Sequence, residues 1–233
     1  MLILVGRDGN NSNVIMAVAL CPTENAENYA WFLQQCVNGG ISFENLLLFC
    51  DRGGGILSAA GQLGIRSLVH CTRHLIGNMK DRFKATFSID LQNLVWRAQG
   101  VDTAQEFNSV LETLQLSHSG AYGYLSAIDP SLWTVHANVG KLALFGWRTT
   151  NFVESENSTA LSKRKLAPFN FFLTAMEDHM TALYNNKLKY KKWKEMKLLV
   201  TSFAQEKLVG ERDQLGFYDV MPSSTNVAYV WDL

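Results

Sequence analysis

The chain has 233 residues, 47% hydrophobic and 18% charged, a balance that supplies a core for one large domain or one domain with an insertion and excludes intrinsic disorder. No apolar run approaches the roughly 18 uninterrupted residues of a spanning helix, and Met1 to Val5 is too short and uncharged to open a signal peptide, so a soluble intracellular protein is expected. Its 21 basic and 21 acidic residues cancel, and its four cysteines, Cys21, Cys36, Cys50 and Cys71, contain no CxxC pair, which excludes a secreted disulfide framework and a complete zinc module and leaves reduced thiols.

Leu2 to Val5 and Val14 to Leu20 are β-rich apolar runs on either side of Gly6-Arg7-Asp8-Gly9-Asn10-Asn11, which predicts a hairpin. Ala26 to Val37 spaces Tyr29, Trp31, Phe32, Leu33 and Cys36 as a helix does, and Gly39-Gly40 stops it. Leu46 to Cys50 is a short continuous apolar run, the signature of a strand buried on both faces, with Asp51 at its C-terminal end before Arg52-Gly53-Gly54-Gly55. A short helix over Ile56 to Gln62, a strand over Ser67 to His70 and a helix over Cys71 to Phe83 follow. Strand, helix, strand in that order implies a crossover and parallel pairing.

From about Lys80 to Pro130 the spacing is helical, with Phe87, Leu91, Leu94 and Val95 in one stretch and Phe107, Val110, Leu111 and Leu114 in the next. After Trp147, Asn151 stands where it can cap a new helix, with Glu154 three residues on as the return half of a capping box. Pro168 to Lys207 is mostly helical, and Asn226 to Leu233 ends on a strand-like note. Read as domains, residues 1–84 form the first part of an α/β core, 85–148 a helical insertion, 149–167 a core helix carrying Glu154, and 168–233 a helical C-terminal extension.

Several blocks, in order, resemble the central domain of Mutator-like element (MULE) transposases. Gly6 to Asn11 is similar to that family's second-strand turn, Asn28-Tyr29-Ala30-Trp31-Phe32-Leu33 to its WxWFL helix, and Cys50-Asp51-Arg52 to its SDR segment. Cys71-Thr72-Arg73-His74-Leu75, with Asn78 after it, resembles the CxxHL block, and Thr150 to Asn157 the TSNxxESxN block. The resemblance implies an RNase H-like mixed sheet and a DDE nuclease-transferase, whose carboxylates hold two divalent metals, one to activate the attacking hydroxyl and one to stabilise the leaving oxygen. Carboxylates suit Mg²⁺ or Mn²⁺. By this match Asp51 is the second acid and Glu154 the third, both metal ligands, while the first belongs to a strand expected before Leu2. Cys71, His74, Asn151 and Asn157 are the family's accessory motif positions. The family also implies DNA as partner, a nuclear location, and a zinc module after a segment like Asn226 to Trp231, where this chain ends.

The residues also carry plainer readings. Asp51 before Arg-Gly-Gly suits a turn or helix cap, and Glu154 suits a capping box alone. Asp8, at the hairpin tip, is a poor substitute for the first acid, and Glu156 points to another helix face than Glu154. Cys71 and His74 stand i, i+3 on a helix, a spacing that serves packing and hydrogen bonding or joint metal contact, though two ligands do not close a zinc site. His70, His118, His136 and His179 show no comparable spacing.

Positive charge is displaced toward the C-terminus: residues 1–160 hold 10 basic and 13 acidic residues, and 161–233 hold 11 and 8. Lys187, Lys189, Lys191, Lys192, Lys194 and Lys197, interleaved with Tyr190 and Trp193, form either a phosphate-facing stripe with stacking groups or a solvated helix face. The expected product is a transposon-derived fragment that is catalytically incompetent alone, with a domesticated DNA- or transposase-binding protein as the alternative. The missing central strand would leave unpaired sheet edges, for which a homo-oligomer or transposase partner is an outlet.

Overall fold

Two strands, β1 (Leu2–Arg7) and β2 (Asn13–Ala19), pair at the start of the chain. Their connection is held by Asp8, whose Oδ1 accepts the N–H groups of Asn10 and Ser12 at 2.9 and 2.7 Å, while Asn11 takes the left-handed φ of 59° that an asparagine tolerates. The computed structural model describes residues 1–44, 46–142, 144, 146–159, 163–214, 218–224 and 227–232. These fall into two units, Met1–Leu4 with Ala17–Ala160 and Val5–Met16 with Leu161–Leu233.

In the first unit, α1 (Ala26–Asn38) is capped by Asn25, whose side chain accepts the Asn28 N–H. The buried residues Phe32, Leu33 and Cys36 of α1 meet Ile56, Ala59 and Ala60 of α2 (Gly54–Gln62), with Leu2, Leu4 and Ala19 in the same cluster. Gly55 permits the approach, because a Cβ there would stand 3.0 Å from the Glu24 carbonyl oxygen and 3.1 Å from the Tyr29 ring. The strands β3 (Leu48–Cys50) and β4 (Leu68–His70) lie parallel on either side of α2 in sequence, with Cys50 opposite His70.

A second cluster fills the helical stretch. Leu75, Ile76 and Met79 of α3 (Thr72–Phe83) pack with Leu91, Val95 and Ala98 of α4 (Ile89–Gly100), Phe107, Val110 and Leu114 of α5 (Ala104–Ser117), and Ala121 and Leu125 of α6 (Ser119–Ser126), around Trp133. Caps set each boundary: Ser88 accepts from Leu91, Thr103 from Glu106, and His118 from Ala121. Helix α7 (Asn151–Thr159) closes the unit.

The second unit holds α8 (Pro168–Glu195), α9 (Ser202–Gln214) and an antiparallel hairpin of β5 (Tyr218–Ser224) and β6 (Val227–Asp232). The β1–β2 tip belongs here, where Thr201 Oγ1 donates to the Gly9 carbonyl and the Phe203 N–H to Asn10 Oδ1. The extension is thus helical only as far as Gln214. The strand β5 is obscured in sequence by Asp219 and Pro222, and the ladder accommodates the proline with an irregularity between Pro222 and Ser224.

The chain is therefore α/β, but its described strands form three two-stranded sheets where one mixed sheet was expected. Among the described residues no strand is hydrogen-bonded between β1 and β3, so each pair keeps an unladdered edge. No described helix is long and apolar enough to cross a membrane.

Candidate functional site

Three segments meet where β3 and β4 end. The Cys71 N–H donates to the Cys50 carbonyl at 2.8 Å, the Thr72 N–H to the Arg148 carbonyl at 3.0 Å, and the Thr150 N–H to Cys71 Sγ at 3.2 Å. These bonds fix the start of α7 against the start of α3. Cys71, fully buried, is the N-cap residue of α3.

Burial acts to raise the Cys71 thiol, but hydrogen bonds from the side chains and backbone N–H groups of His74 and Thr150 outweigh it and bring it down from 9.0 to about 7. His74 moves the opposite way: its bond to Cys71 raises it, burial opposes, and the negative charges of Cys71, Glu154 and Asp51 raise it further. The two shifts thus favour the thiolate of Cys71 and the imidazolium of His74. Thr150 Oγ1 lies 3.5 Å from His74 Nδ1 on the same side.

Glu154 completes the cluster from α7. Its Oε1 is 3.4 Å from His74 Nε2 and its Oε2 is 3.6 Å from Arg73 Nη1, and Arg73 also donates to Asn151 Oδ1 at 2.8 Å. Asn151 was expected to cap the helix. Instead α7 begins at Asn151, the Thr150 carbonyl accepts the Val153 and Glu154 N–H groups, and the Asn151 side chain faces Arg73. The capping-box reading of Glu154 gives way to an ion-pair role.

Asp51 follows β3, as its sequence position predicts, and its Oδ1 accepts the Gly53 N–H at 3.0 Å, the turn contact of its plainer reading. Its charge nevertheless reaches His74, His70, Cys50 and Tyr29. Burial, then Glu24 and Asp51, push the Tyr29 hydroxyl up to about 12; burial, then Asp51 and Cys71, push the Cys50 thiol up to about 12. His70 is lowered by burial and by Arg52, against Asp51, and its buried Nδ1 has no hydrogen-bond partner. Arg52 itself donates to the Tyr124 hydroxyl at 2.7 Å and lies over that ring.

Cys71, His74 and Glu154 are thus brought to one place, with Asn151 reaching it through Arg73, and Asp51 acts on His74 by its charge alone. Asn157 lies on α7, and its side chain is outside the described residues. Asp8 is engaged in its own turn. Thr150, Arg73 and His70 were not singled out as site residues; the first two stood inside the family-like blocks, and only their bonds across more than 70 residues give them roles. Among the described residues no group of three or more His, Cys, Asp and Glu is arranged to hold a metal. With Glu154 beside Arg73 and His74, and with Asp51 and Glu154 the two carboxylates that act on His74 among the described residues, the residues present do not fit a two-metal centre. Hydrogen bonding between Cys71 and His74 contributes to the shifts of both groups.

The six lysines belong to the second unit. Lys187, Lys191 and Lys194 share one face of α8, Lys189 and Lys192 another, and Lys197 follows the helix with a φ of 54°. All six are exposed. Comparison of the chain with protein-family models, with curated proteins and with solved structures gives no match.

Proposed function

We propose that this chain is a MULE transposase-like core, RNase H-like in ancestry, that does not cleave or join DNA by itself. The observations that support the reading are that Asp51 directly follows Cys50 at the end of the parallel β3–β4 pair, where the Cys50 carbonyl accepts the Cys71 N–H, and that Glu154 of α7 stands 3.4 Å from His74 near the same start of α3. The resemblance expects its second and third acids near such a strand end. For the family the resemblance implies Mg²⁺ or Mn²⁺, held by a centre that these residues do not complete, and DNA in the nucleus as the setting. In-line displacement needs both attacking and leaving oxygens clamped, which two carboxylates do not supply. Incubated with supercoiled plasmid and either metal, the chain is expected to leave the DNA closed. Metal-dependent nicking that Asp51→Asn abolishes would sink the reading.

The exposed lysines of α8 favour a second reading, a domesticated protein that holds DNA without cutting it. For every phosphate that a lysine no longer neutralises, the slope of log affinity against log salt becomes shallower by about 0.9. Lys189→Glu, Lys191→Glu and Lys192→Glu together are expected to abolish binding at low salt and flatten that slope. Unaltered binding by the triple variant, or none by the parent chain at low salt, removes this reading.

A further inference from the structure

Helix α8 presents a heptad seam with no partner on it. Phe169, Leu173, Met176, Met180 and Leu183 follow one another at alternating steps of four and three, the spacing of coiled-coil core positions, yet they are 76%, 45%, 67%, 63% and 49% exposed. Lys187, Tyr190 and Lys194 continue the same register. The opposite face already packs on its own chain: Phe171 is buried, and Asp178, seven residues on, is ion-paired to Lys163. The seam is thus the side of a 28-residue helix, about 42 Å long, that points away from its own support. An exposed apolar stripe of this length marks an interaction surface.

We propose that α8 pairs antiparallel with α8 of a second copy of this chain. Charge selects both the occupant and the direction. From Pro168 to Asn186 the formal charges are Glu177 and Asp178, whereas Lys187 to Glu195 carries five lysines and one glutamate. The helix is therefore complementary to its own reverse. A parallel in-register pair would set Lys187 on Lys187 and Lys194 on Lys194 at the seam. An antiparallel pair staggered so that Leu183 stands against Lys187, Met180 against Tyr190 and Met176 against Lys194 lets the lysine stems cover the apolar side chains while the ammonium groups reach water, with Phe169 and Leu173 extending past Glu195 of the second copy. In the same register Glu177 flanks the seam opposite Lys191 of the second copy, twice by symmetry. Lys189 and Lys192 face outward.

Sedimentation equilibrium of the full chain is the test. A dimer that loosens with rising salt is expected. Glu177→Lys and Lys191→Glu, both surface changes that leave the apolar seam intact, should each weaken it by about tenfold, since every interface carries the pair twice. An equimolar mixture of the two variants should associate as tightly as the parent chain, and Lys189→Glu should leave association unchanged. Replacing Met176→Glu and Met180→Glu together should give a monomer. A parent chain that stays monomeric, a dimer indifferent to the methionine changes, or a mixture no tighter than either charge variant alone overturns the proposal.

Discussion

Truncating Trp133 to alanine is expected to destabilise the first unit by about 3–5 kcal/mol, measured by urea or thermal unfolding. Trp133 is essentially inaccessible and meets the Phe107 ring edge to face at 6.0 Å between centroids, inside the cluster built from α3 to α6. Its loss removes a large apolar surface and leaves a cavity that the surrounding helices cannot close by side-chain motion alone. Domains of this size have about 5–15 kcal/mol in total, so the variant should unfold at markedly lower denaturant. Trp133→Phe should recover most of the loss, because the buried indole N–H has no hydrogen-bond partner to forfeit. A Trp133→Ala change below about 1 kcal/mol would show that the cluster is not the core of the unit. The effect extends to the site, since Leu75, Ile76 and Met79 of the same cluster set the position of α3 and with it His74.

Replacing His74 with alanine is expected to move the titration of the Cys71 thiol upward from about 7, making it about tenfold or more weaker as an acid. Burial acts to raise this thiol, and in the variant only the bonds from Thr150 and the backbone remain to oppose it. The readout is the thiolate ultraviolet absorbance against pH, taken as the difference from Cys71→Ala. Glu154→Gln should give a smaller shift in the same direction, because Glu154 acts on Cys71 through His74. Cys71 has a folded value below its ordinary 9.0, so its contribution to stability is full above 9.0 and is lost as pH falls through about 7. His74, raised above 6.5, contributes fully below 6.5 and loses that contribution as pH rises through its raised value. The stability difference between the parent chain and Cys71→Ala should therefore widen from pH 7 toward 9. A Cys71 titration unmoved by His74→Ala contradicts the pairing.

Much of the local structure was legible because it rests on local rules. The 3.6-residue spacing of apolar residues placed α1, α4 and α5, and the apolar run before Asp51 placed β3. Long-range pairing was not legible. Whether β1 and β3 belong to one sheet depends on a strand between them, which periodicity within either strand does not encode. Strand β5 was hidden by Pro222, a residue that normally argues against a ladder. At the site, Asp51, Cys71, His74 and Glu154 could be selected by motif, but the sequence carries no sign that Thr150 would bond Cys71, 79 residues away, or that Arg73 would take the side chain of Asn151. An asparagine before an apolar run reads as a cap until a cation reaches it first.

We propose that Asp51 and Glu154 are two acids of a three-acid site, and adding the third tests it most directly. A chain extended ahead of Leu2 by a strand ending in Asp-Gly-Thr, checked for folding by circular dichroism, should acquire Mn²⁺-dependent plasmid nicking that either Asp51→Asn or Glu154→Gln removes. Nicking by the unextended chain, or a folded extended chain that never nicks, would contradict it.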